Sequence, residues 1–195
     1  MKTKLRKYPS IFLILLLAIS SCFLTGCVNQ HPKDSKKSSQ GESVETMLEI
    51  TDPKEKQAVL NAKAKDKALS GNPRIVATSP AVADICDKLD LDLVGVPKSS
   101  VSKIPSRYKK VKKVGLAMSP DMEIVSSLNP DWILAPSSLE TDLKPKFEEL
   151  KNTEYAFLNL RSVQGMYRSV QELGEIFGKQ QEAEKMTKEF TTFYK

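Results

Sequence analysis

Histidine and cysteine are scarce in this chain of 195 residues, which contains one histidine and three cysteines. The histidine, His31, lies in a polar stretch without the further ligands that a zinc site needs, so we interpret it as a solvated residue. The sequence also lacks the phosphate-binding pattern G-x-x-x-x-G-K-[ST], the dinucleotide-binding pattern G-x-G-x-x-G and the nucleophile elbow G-x-S-x-G. These absences predict a protein that is not an enzyme.

The one long apolar run lies near the N-terminus, where four basic residues precede Ile11 to Ile19. Small residues and a cysteine follow, in the order Leu24-Thr25-Gly26-Cys27. This order predicts a secretory signal peptide over residues 1–26, not a membrane-spanning helix. The segment also resembles the bacterial lipobox. That resemblance implies that Cys27 becomes the acylated, palmitate-carrying N-terminus of a lipoprotein on the extracellular face of the cell membrane.

Removal of the signal peptide changes the charge balance. The whole chain carries 30 basic and 24 acidic residues, but four of the basic residues lie in the signal, which leaves 26 basic residues against 24 acidic ones. A nucleic-acid-binding function based on net charge is therefore not supported. Cys22 leaves with the signal and Cys27 carries lipid, so Cys86 has no partner for a disulfide. Because Cys86 falls on an apolar helical face, we predict an inert buried thiol.

Residues 27–72 are predicted to form the lipidated cysteine and a polar tether. The stretch from Val28 to Glu49 cannot bury enough apolar surface to fold by itself. Asp52-Pro53 favours the start of a helix that continues to Leu69. The apolar face of this helix is weak, with Leu60, Ala64 and Ala68, so a simple spacer is an open alternative.

From Arg74 onward, short apolar strands alternate with amphipathic helices, which predicts an α/β lobe over residues 73–178 with a small parallel sheet flanked by helices. The predicted strands are 75–77, 93–96, 132–135 and 155–158. The predicted helices begin after caps at Ser79, Ser119 and Ser162, with a further capping box at Ser137 and Glu140 and a kink or a restart of that helix at Pro145. A last helix is predicted from Gln180 to the end of the chain.

Two stretches of this lobe are candidates for function. Met118 precedes the helix predicted at Ser119-Pro120-Asp121, in a loop at the carboxyl end of the sheet, where open α/β folds bind ligands. The second stretch is the loop from Pro97 to Lys113, which is rich in lysine and arginine. We favour a solvated basic surface for this loop, and a site for an acidic partner remains open.

Four segments carry a family resemblance: R-I-V-A-T-S-P-A-V, L-V-G-V-P, N-P-D-W-I-L-A and S-V-Q-G-M-Y. They resemble the substrate-binding lipoproteins of ABC importers for iron-siderophores and cobalamin. I-P-S-R-Y-K-K and G-L-A-M-S-P-D-M-E are similar to the haem receptors of the iron-regulated surface determinant type. The resemblance implies two Rossmann-like lobes joined by a long helix, with the ligand between them. Residues 179–195 would begin that helix, and the second lobe is absent from these 195 residues, so we expect a truncated form that binds haem weakly.

The resemblance also implies roles for individual residues. Met118 would supply the axial thioether to haem iron, opposite a histidine of the second lobe, whereas Met122 should pack inward. Glu123 would dock the protein to arginines of the permease, although a glutamate in the first turn of a helix is also favoured by the helix dipole alone. Contacts to the haem propionates and ring edge would come from Thr78, Ser79, Lys98, Ser99 and Ser100. Pro80 departs from the sequence pattern of these haem receptors. Because proline has no backbone N–H, residue 80 lacks one donor for a propionate.

Three functions remain open on the sequence. The first is a haem-binding receptor that takes haem from donor proteins on the cell surface and delivers it to an ABC importer for iron acquisition. The second is a siderophore-binding or cobalamin-binding lipoprotein of the same superfamily. The third is a surface lipoprotein that interacts with other proteins and binds no ligand.

Overall fold

A computed structural model describes residues 48–68 and 72–193. The predicted signal peptide, the lipidation site Cys27, His31 and the tether up to residue 47 lie outside the described residues. The strands are β1 (Ile75–Ala77), β2 (Leu93–Val96), β3 (Lys112–Lys113), β4 (Gly115–Leu116), β5 (Ser119–Pro120), β6 (Trp132–Pro136) and β7 (Glu154–Leu158). The α-helices are α1 (Pro53–Ala68), α2 (Pro80–Lys88), α3 (Met122–Ser127), α4 (Glu140–Glu148), α5 (Val163–Ile176) and α6 (Gln180–Phe193).

Five of the strands form one parallel sheet in the order β3-β2-β1-β6-β7. All four strands predicted from the sequence are present, and the predicted α/β fold is confirmed. The fifth strand, β3, was predicted as part of a loop because its two residues are both lysines. It forms because Lys112 and Lys113 pair with Gly95 and Val96 of β2, a contact that local sequence does not reveal.

The centre of the sheet is buried on both faces. Every residue of β6 is buried, as its uninterrupted apolar sequence predicts. One face of the sheet packs with α2 and α5 around Ile75, Ala77 and Leu134. The other face packs with α3 and α4 around Val76, Ile133 and Ala135. From β1 the sheet continues to β2 and β3 on one side, and from β6 it continues to β7 on the other. The direction of strand addition therefore reverses between β1 and β6, which makes this a topological switch point.

Two of the predicted helix caps are confirmed by hydrogen bonds. The Val82 N–H donates to Ser79 Oγ at 3.2 Å at the start of α2, and the Gly165 N–H donates to Ser162 Oγ at 3.0 Å at the start of α5. Gly178, with φ of 67°, follows the end of α5. Cys86 is fully buried on α2, as predicted, and its burial raises the pKa of the thiol to about 12.

Two other predicted helix starts are wrong. Ser119 and Pro120 form strand β5, and the cap of α3 is Asp121, whose Oδ1 accepts a hydrogen bond from the Ile124 N–H at 3.1 Å. The capping box at Ser137 and Glu140 does not form, because residues 137–139 make a 3₁₀ turn and α4 begins without a side-chain cap. Pro145 lies inside α4 and does not interrupt it.

Helix α1 forms where the sequence predicts it, but it packs on the lobe and is more than a spacer. Val59 and Ala62 contact the core, whereas Leu60, on the predicted apolar face, is 58% exposed. Ion pairs flank this contact: Lys63 with Glu175 at 2.9 Å, Lys65 with Glu154 at 2.7 Å, and Glu55 with Arg168. No helix in the described part of the chain is both long and apolar enough to cross a membrane.

The contact between α1 and α5 brings two carboxyl groups together. Burial and the nearby Glu55 carboxylate raise the pKa of Glu172 to about 8. Arg168 pairs with Glu55 and lowers the pKa of Glu172, but this effect is smaller than that of burial. Burial next to the Glu55 carboxylate therefore favours the protonated form of Glu172 while α1 is in place.

Docking of α1 should consequently weaken as the pH rises. Once α1 leaves, Glu172 would release its proton with its ordinary pKa of 4.5. The contribution of protonated Glu172 to the docking of α1 is therefore complete at low pH and is lost as the pH rises through about 8. We expect amide protection in α1, corrected for intrinsic exchange rates, to fall from about pH 6 to about pH 9. Glu172→Gln should remove this dependence on pH, whereas Glu189→Gln, at an exposed residue, should retain it. Protection independent of pH in the unmodified protein would contradict the assignment.

Candidate functional site

The carboxyl ends of the five parallel strands meet at one edge of the sheet, which is where open α/β folds bind ligands. Five connections begin at this edge. They start at Thr78 after β1, Pro97 after β2, Val114 after β3, Ser137 after β6 and Asn159 after β7. The candidate residues Met118, Thr78, Ser79, Lys98, Ser99 and Ser100 all lie in these connections.

A short antiparallel hairpin projects from this edge and carries Met118. Its strands β4 and β5 pair Gly115 with Pro120 and Leu116 with Ser119, which leaves Ala117 and Met118 as the two turn residues. Gly115 has φ of 96°, and a Cβ at this position would lie 2.8 Å from the Asp121 backbone nitrogen. The hairpin therefore needs glycine at residue 115.

Backbone hydrogen bonds fix the base of the hairpin to the sheet. The Val114 N–H donates to the Val96 carbonyl at 2.9 Å, and the Asp121 N–H donates to the Val114 carbonyl at 2.7 Å. The Lys98 N–H donates to the Gly115 carbonyl at 2.6 Å, so the loop after β2 is held against the hairpin. These bonds bring Lys98 and the hairpin that carries Met118 together, which the sequence did not show.

The two methionines of this region differ in exposure. Met118 is 74% exposed at the turn, next to Leu116, which is 59% exposed. Met122 is half-buried and packs against the core between the sheet, α3 and α4, as expected. Of the two thioethers, that of Met118 is therefore the one presented at the carboxyl edge. Its role as a ligand to iron stays a prediction.

Thr78 and Ser79 are buried, and their hydroxyl groups are already engaged within the lobe. The Thr78 hydroxyl donates to the Leu134 carbonyl at 3.3 Å, and Ser79 Oγ accepts from Val82 as the cap of α2. These two side chains join β1, β6 and α2, which is a structural reason for their presence. Ser99 and Ser100 lie in the loop after β2, where Ser99 Oγ accepts from the Ser102 N–H at 3.0 Å.

Glu123 is exposed in the first turn of α3. Among the described residues it makes no ion pair, so its carboxylate faces solvent next to the positive end of the helix dipole. Both interpretations of Glu123, a docking contact and a favourable helix terminus, are compatible with this position. No group of three or more histidine, cysteine, aspartate or glutamate residues that could hold a metal ion occurs within residues 48–68 and 72–193.

Sequence comparison gives two findings. A family profile described as periplasmic binding protein matches residues 75–195. The high-affinity heme uptake system protein IsdE of Staphylococcus aureus strain Newman is 33% identical over 126 residues, which are 65% of this chain and 42% of that protein. The chain thus spans less than half the length of the curated relatives it matches.

Three solved structures resemble the described lobe. An ABC transporter substrate-binding protein from Listeria monocytogenes EGD-e superposes with a TM-score of 0.60 at 44% identity, over 63% of this chain and 46% of its own. The structure of S. aureus IsdE complexed with heme superposes with a TM-score of 0.58 at 34% identity, over 63% of this chain and 46% of its own. The third structure is the siderophore binding protein BauB, bound to a complex between two molecules of acinetobactin and ferric iron. It superposes with a TM-score of 0.53 at 25% identity, over 62% of this chain and 45% of its own. Proteins of this shape hold at least two kinds of iron compound.

Proposed function

Because this chain belongs to the periplasmic binding protein family, we propose that it provides one lobe of a haem receptor that delivers haem to an ABC importer for iron acquisition. The observation that carries the proposal is Met118, a thioether 74% exposed on a hairpin that is fixed to the carboxyl edge of the sheet. The similarity to IsdE, whose structure was solved with heme, supports haem as the ligand.

The side chains around Met118 suit haem chemically. A methionine sulfur is an established axial ligand of haem iron. Leu116 on the same hairpin and Val101 in the loop after β2 are 59% and 96% exposed, so they offer apolar surface to a porphyrin. Lys98, whose loop is bonded to the hairpin, provides an ammonium group for a propionate.

A siderophore is the alternative ligand, and the similarity to BauB favours it. A siderophore surrounds its iron with its own oxygen donors and is held by basic or aromatic side chains. The connections at 78–79, 114–121, 137–139 and 159–162 contain no aromatic residue, and their only basic residue is Arg161. The connection at 97–111 contains five basic residues and Tyr108, but Tyr108 is buried and Arg107 is paired with Asp90 and Asp92. An exposed thioether has no role in holding such a ligand, so the site favours haem.

The same proposal includes membrane attachment and partners. The order of basic, apolar and small residues before Cys27 supports a lipid anchor at that cysteine. The anchor would keep the receptor at the extracellular face of the membrane, close to the permease and to haem-donor proteins on the surface. Glu123, exposed at the start of α3, is the residue we assign to the permease contact.

Titration of haemin into the purified mature chain, followed by the Soret band, tests the ligand. We expect a saturable change in the band, with weak affinity because a single exposed thioether competes poorly with water and buffer. A ferric trihydroxamate siderophore should not displace the haemin. An unchanged Soret band together with saturable binding of the siderophore would replace the haem assignment by the alternative. Binding of neither compound would favour a lipoprotein that only interacts with other proteins.

A further inference from the structure

The lobe has a strongly uneven distribution of charge along its sequence. Residues 97–113 contain seven basic residues and no acidic one, whereas the rest of residues 72–193 contains ten basic and seventeen acidic residues. The lobe as a whole is therefore neutral, and its positive charge is concentrated in one segment of seventeen residues. This basic segment leaves the carboxyl end of β2 and returns along the outer edge of the sheet as β3.

The basic segment is fixed to the lobe at its centre. Tyr108 is 2% exposed, and its hydroxyl donates to the Leu91 carbonyl at 2.5 Å. Ile104 and Val111 pack against the core on either side of Tyr108. The segment is thus an ordered surface with an apolar underside, and most of its lysines are exposed.

The only arginine of the segment is already neutralised. Arg107 pairs with Asp90 at 2.9 Å and with Asp92 at 2.7 Å, and it lies over the Tyr108 ring. The remaining positive charge belongs to six lysines: Lys98, Lys103, Lys109, Lys110, Lys112 and Lys113. Within the described part of the chain none of these lysines pairs with a carboxylate, and all except the half-buried Lys113 are exposed. We call these six residues the lysine edge.

The composition of the lysine edge indicates the kind of partner. Stable protein interfaces are enriched in arginine and aromatic residues and depleted in lysine. In this segment the arginine is paired with carboxylates and the tyrosine is buried, so the basic residues that have no ion pair are all lysines. A lysine ammonium is a compact, strongly hydrated charge on a flexible stem, which suits a diffuse layer of anions better than a shaped protein surface. Such a layer is found at an anionic lipid bilayer.

We propose that the lysine edge binds the anionic headgroups of a lipid bilayer. Clusters of four to eight basic residues attract acidic lipids, and each lysine near the surface strengthens binding by roughly fivefold. Val101, 96% exposed among these lysines, adds an apolar side chain that can enter the headgroup region. A lipid chain combined with a basic patch gives more durable attachment than a single chain does. The lysine edge would thus supplement the lipid anchor and hold the lobe flat against the membrane. Lys98 and Val101 are also assigned to the ligand site, but the other five lysines are not, so the inference does not depend on haem.

Co-sedimentation with vesicles tests the proposal. The mature chain, produced without lipid so that the anchor cannot contribute, is mixed with vesicles of phosphatidylcholine with or without about one third phosphatidylglycerol. One variant replaces Lys103, Lys109, Lys110 and Lys112 with glutamine. The matched control replaces Lys67, Lys144, Lys151 and Lys185, four exposed lysines outside the segment. Both variants lose the same charge, so they differ only in where the charge was removed.

We expect the unmodified chain to bind only the anionic vesicles and to be released as salt screens the contact. The lysine-edge variant should bind at least about tenfold more weakly, and the control within about twofold of the unmodified chain. Absence of binding by the unmodified chain would overturn the proposal. Equal loss in the two variants would also overturn it, because net charge and not the lysine edge would then be responsible. Circular dichroism of both variants confirms that each is folded.

Discussion

Met118→Ala is expected to weaken haem binding by at least about tenfold and to change the haem spectrum. Loss of residues that only support a metal ligand commonly costs ten- to a hundredfold in affinity, and removal of the ligand itself should cost no less. Because the Met118 side chain is 74% exposed at a hairpin turn, its truncation removes little packing. The folded lobe should therefore keep its stability while the iron loses its sulfur ligand. Haemin titration with absorption and resonance Raman spectra measures both effects.

Met122→Ala is the matched control for this experiment. It removes the same thioether four residues away, but from a half-buried side chain that packs against the core. Replacement of a fully buried methionine with alanine costs about 2–5 kcal/mol of unfolding free energy, so a cost of about 2 kcal/mol or less is expected at this partly exposed position. Its haem spectrum should remain that of the unmodified chain. A normal spectrum in Met118→Ala, or an altered spectrum in Met122→Ala at full occupancy, would show that Met118 is not the ligand.

The parts of the fold that could be predicted from sequence are those whose signals are local. Strand β6 follows from an apolar run, because a central strand of a parallel sheet is buried on both faces. Helices α2 and α5 follow from regular apolar spacing and from Ser79 and Ser162, which cap them within one turn. In each case the residues that determine the structure lie within a few positions of one another.

Two of the errors arose where pairing between separate segments decides the structure. Ser119, Pro120 and Asp121 all satisfy the local rules for a helix start, but the first two pair with Leu116 and Gly115. That pairing leaves Asp121 as the cap of α3. Strand β3 is likewise defined by its neighbour β2, since two lysines carry no strand signal of their own.

Helix α1 illustrates the same limit. Its apolar spacing is poor, and the contacts that hold it are made with Glu154, Arg168 and Glu175, each nearly ninety or more positions along the chain. No pattern within residues 53–68 indicates those partners.

At the candidate site, the sequence and the resemblance identified the residues but not their availability. They placed Met118 and Lys98 in loops at the carboxyl edge, where both are exposed. They predicted the cap at Ser79, but they could not show that the hydroxyl group of Thr78 is engaged inside the lobe, because its acceptor Leu134 is 56 residues away. Exposure and hydrogen bonding follow from the folded lobe, and they shift the expected ligand contacts toward the hairpin and the loop after β2.

Glu123→Lys is expected to leave haem binding intact and to reduce haem import strongly in cells that contain the receptor and its importer. Truncation of one partner in a buried charge pair typically costs about 2–5 kcal/mol, which corresponds to tenfold or more in affinity. Charge reversal should cost at least as much if Glu123 meets an arginine of the permease. Haem-dependent growth and uptake of labelled haem measure the effect.

Glu140→Lys separates a docking role from a structural one. Glu140 occupies the first turn of α4 and is exposed, so it shares with Glu123 the favourable interaction with a helix N-terminus. Reversal of either charge should therefore cost a similar, small amount of stability, about 0.3–1 kcal/mol from the helix dipole. If the two substitutions reduce import equally, the common loss of stability explains both and Glu123 has no special contact. If only Glu123→Lys reduces import while haem binding persists, the defect lies after ligand capture, at the step in which the receptor engages the permease.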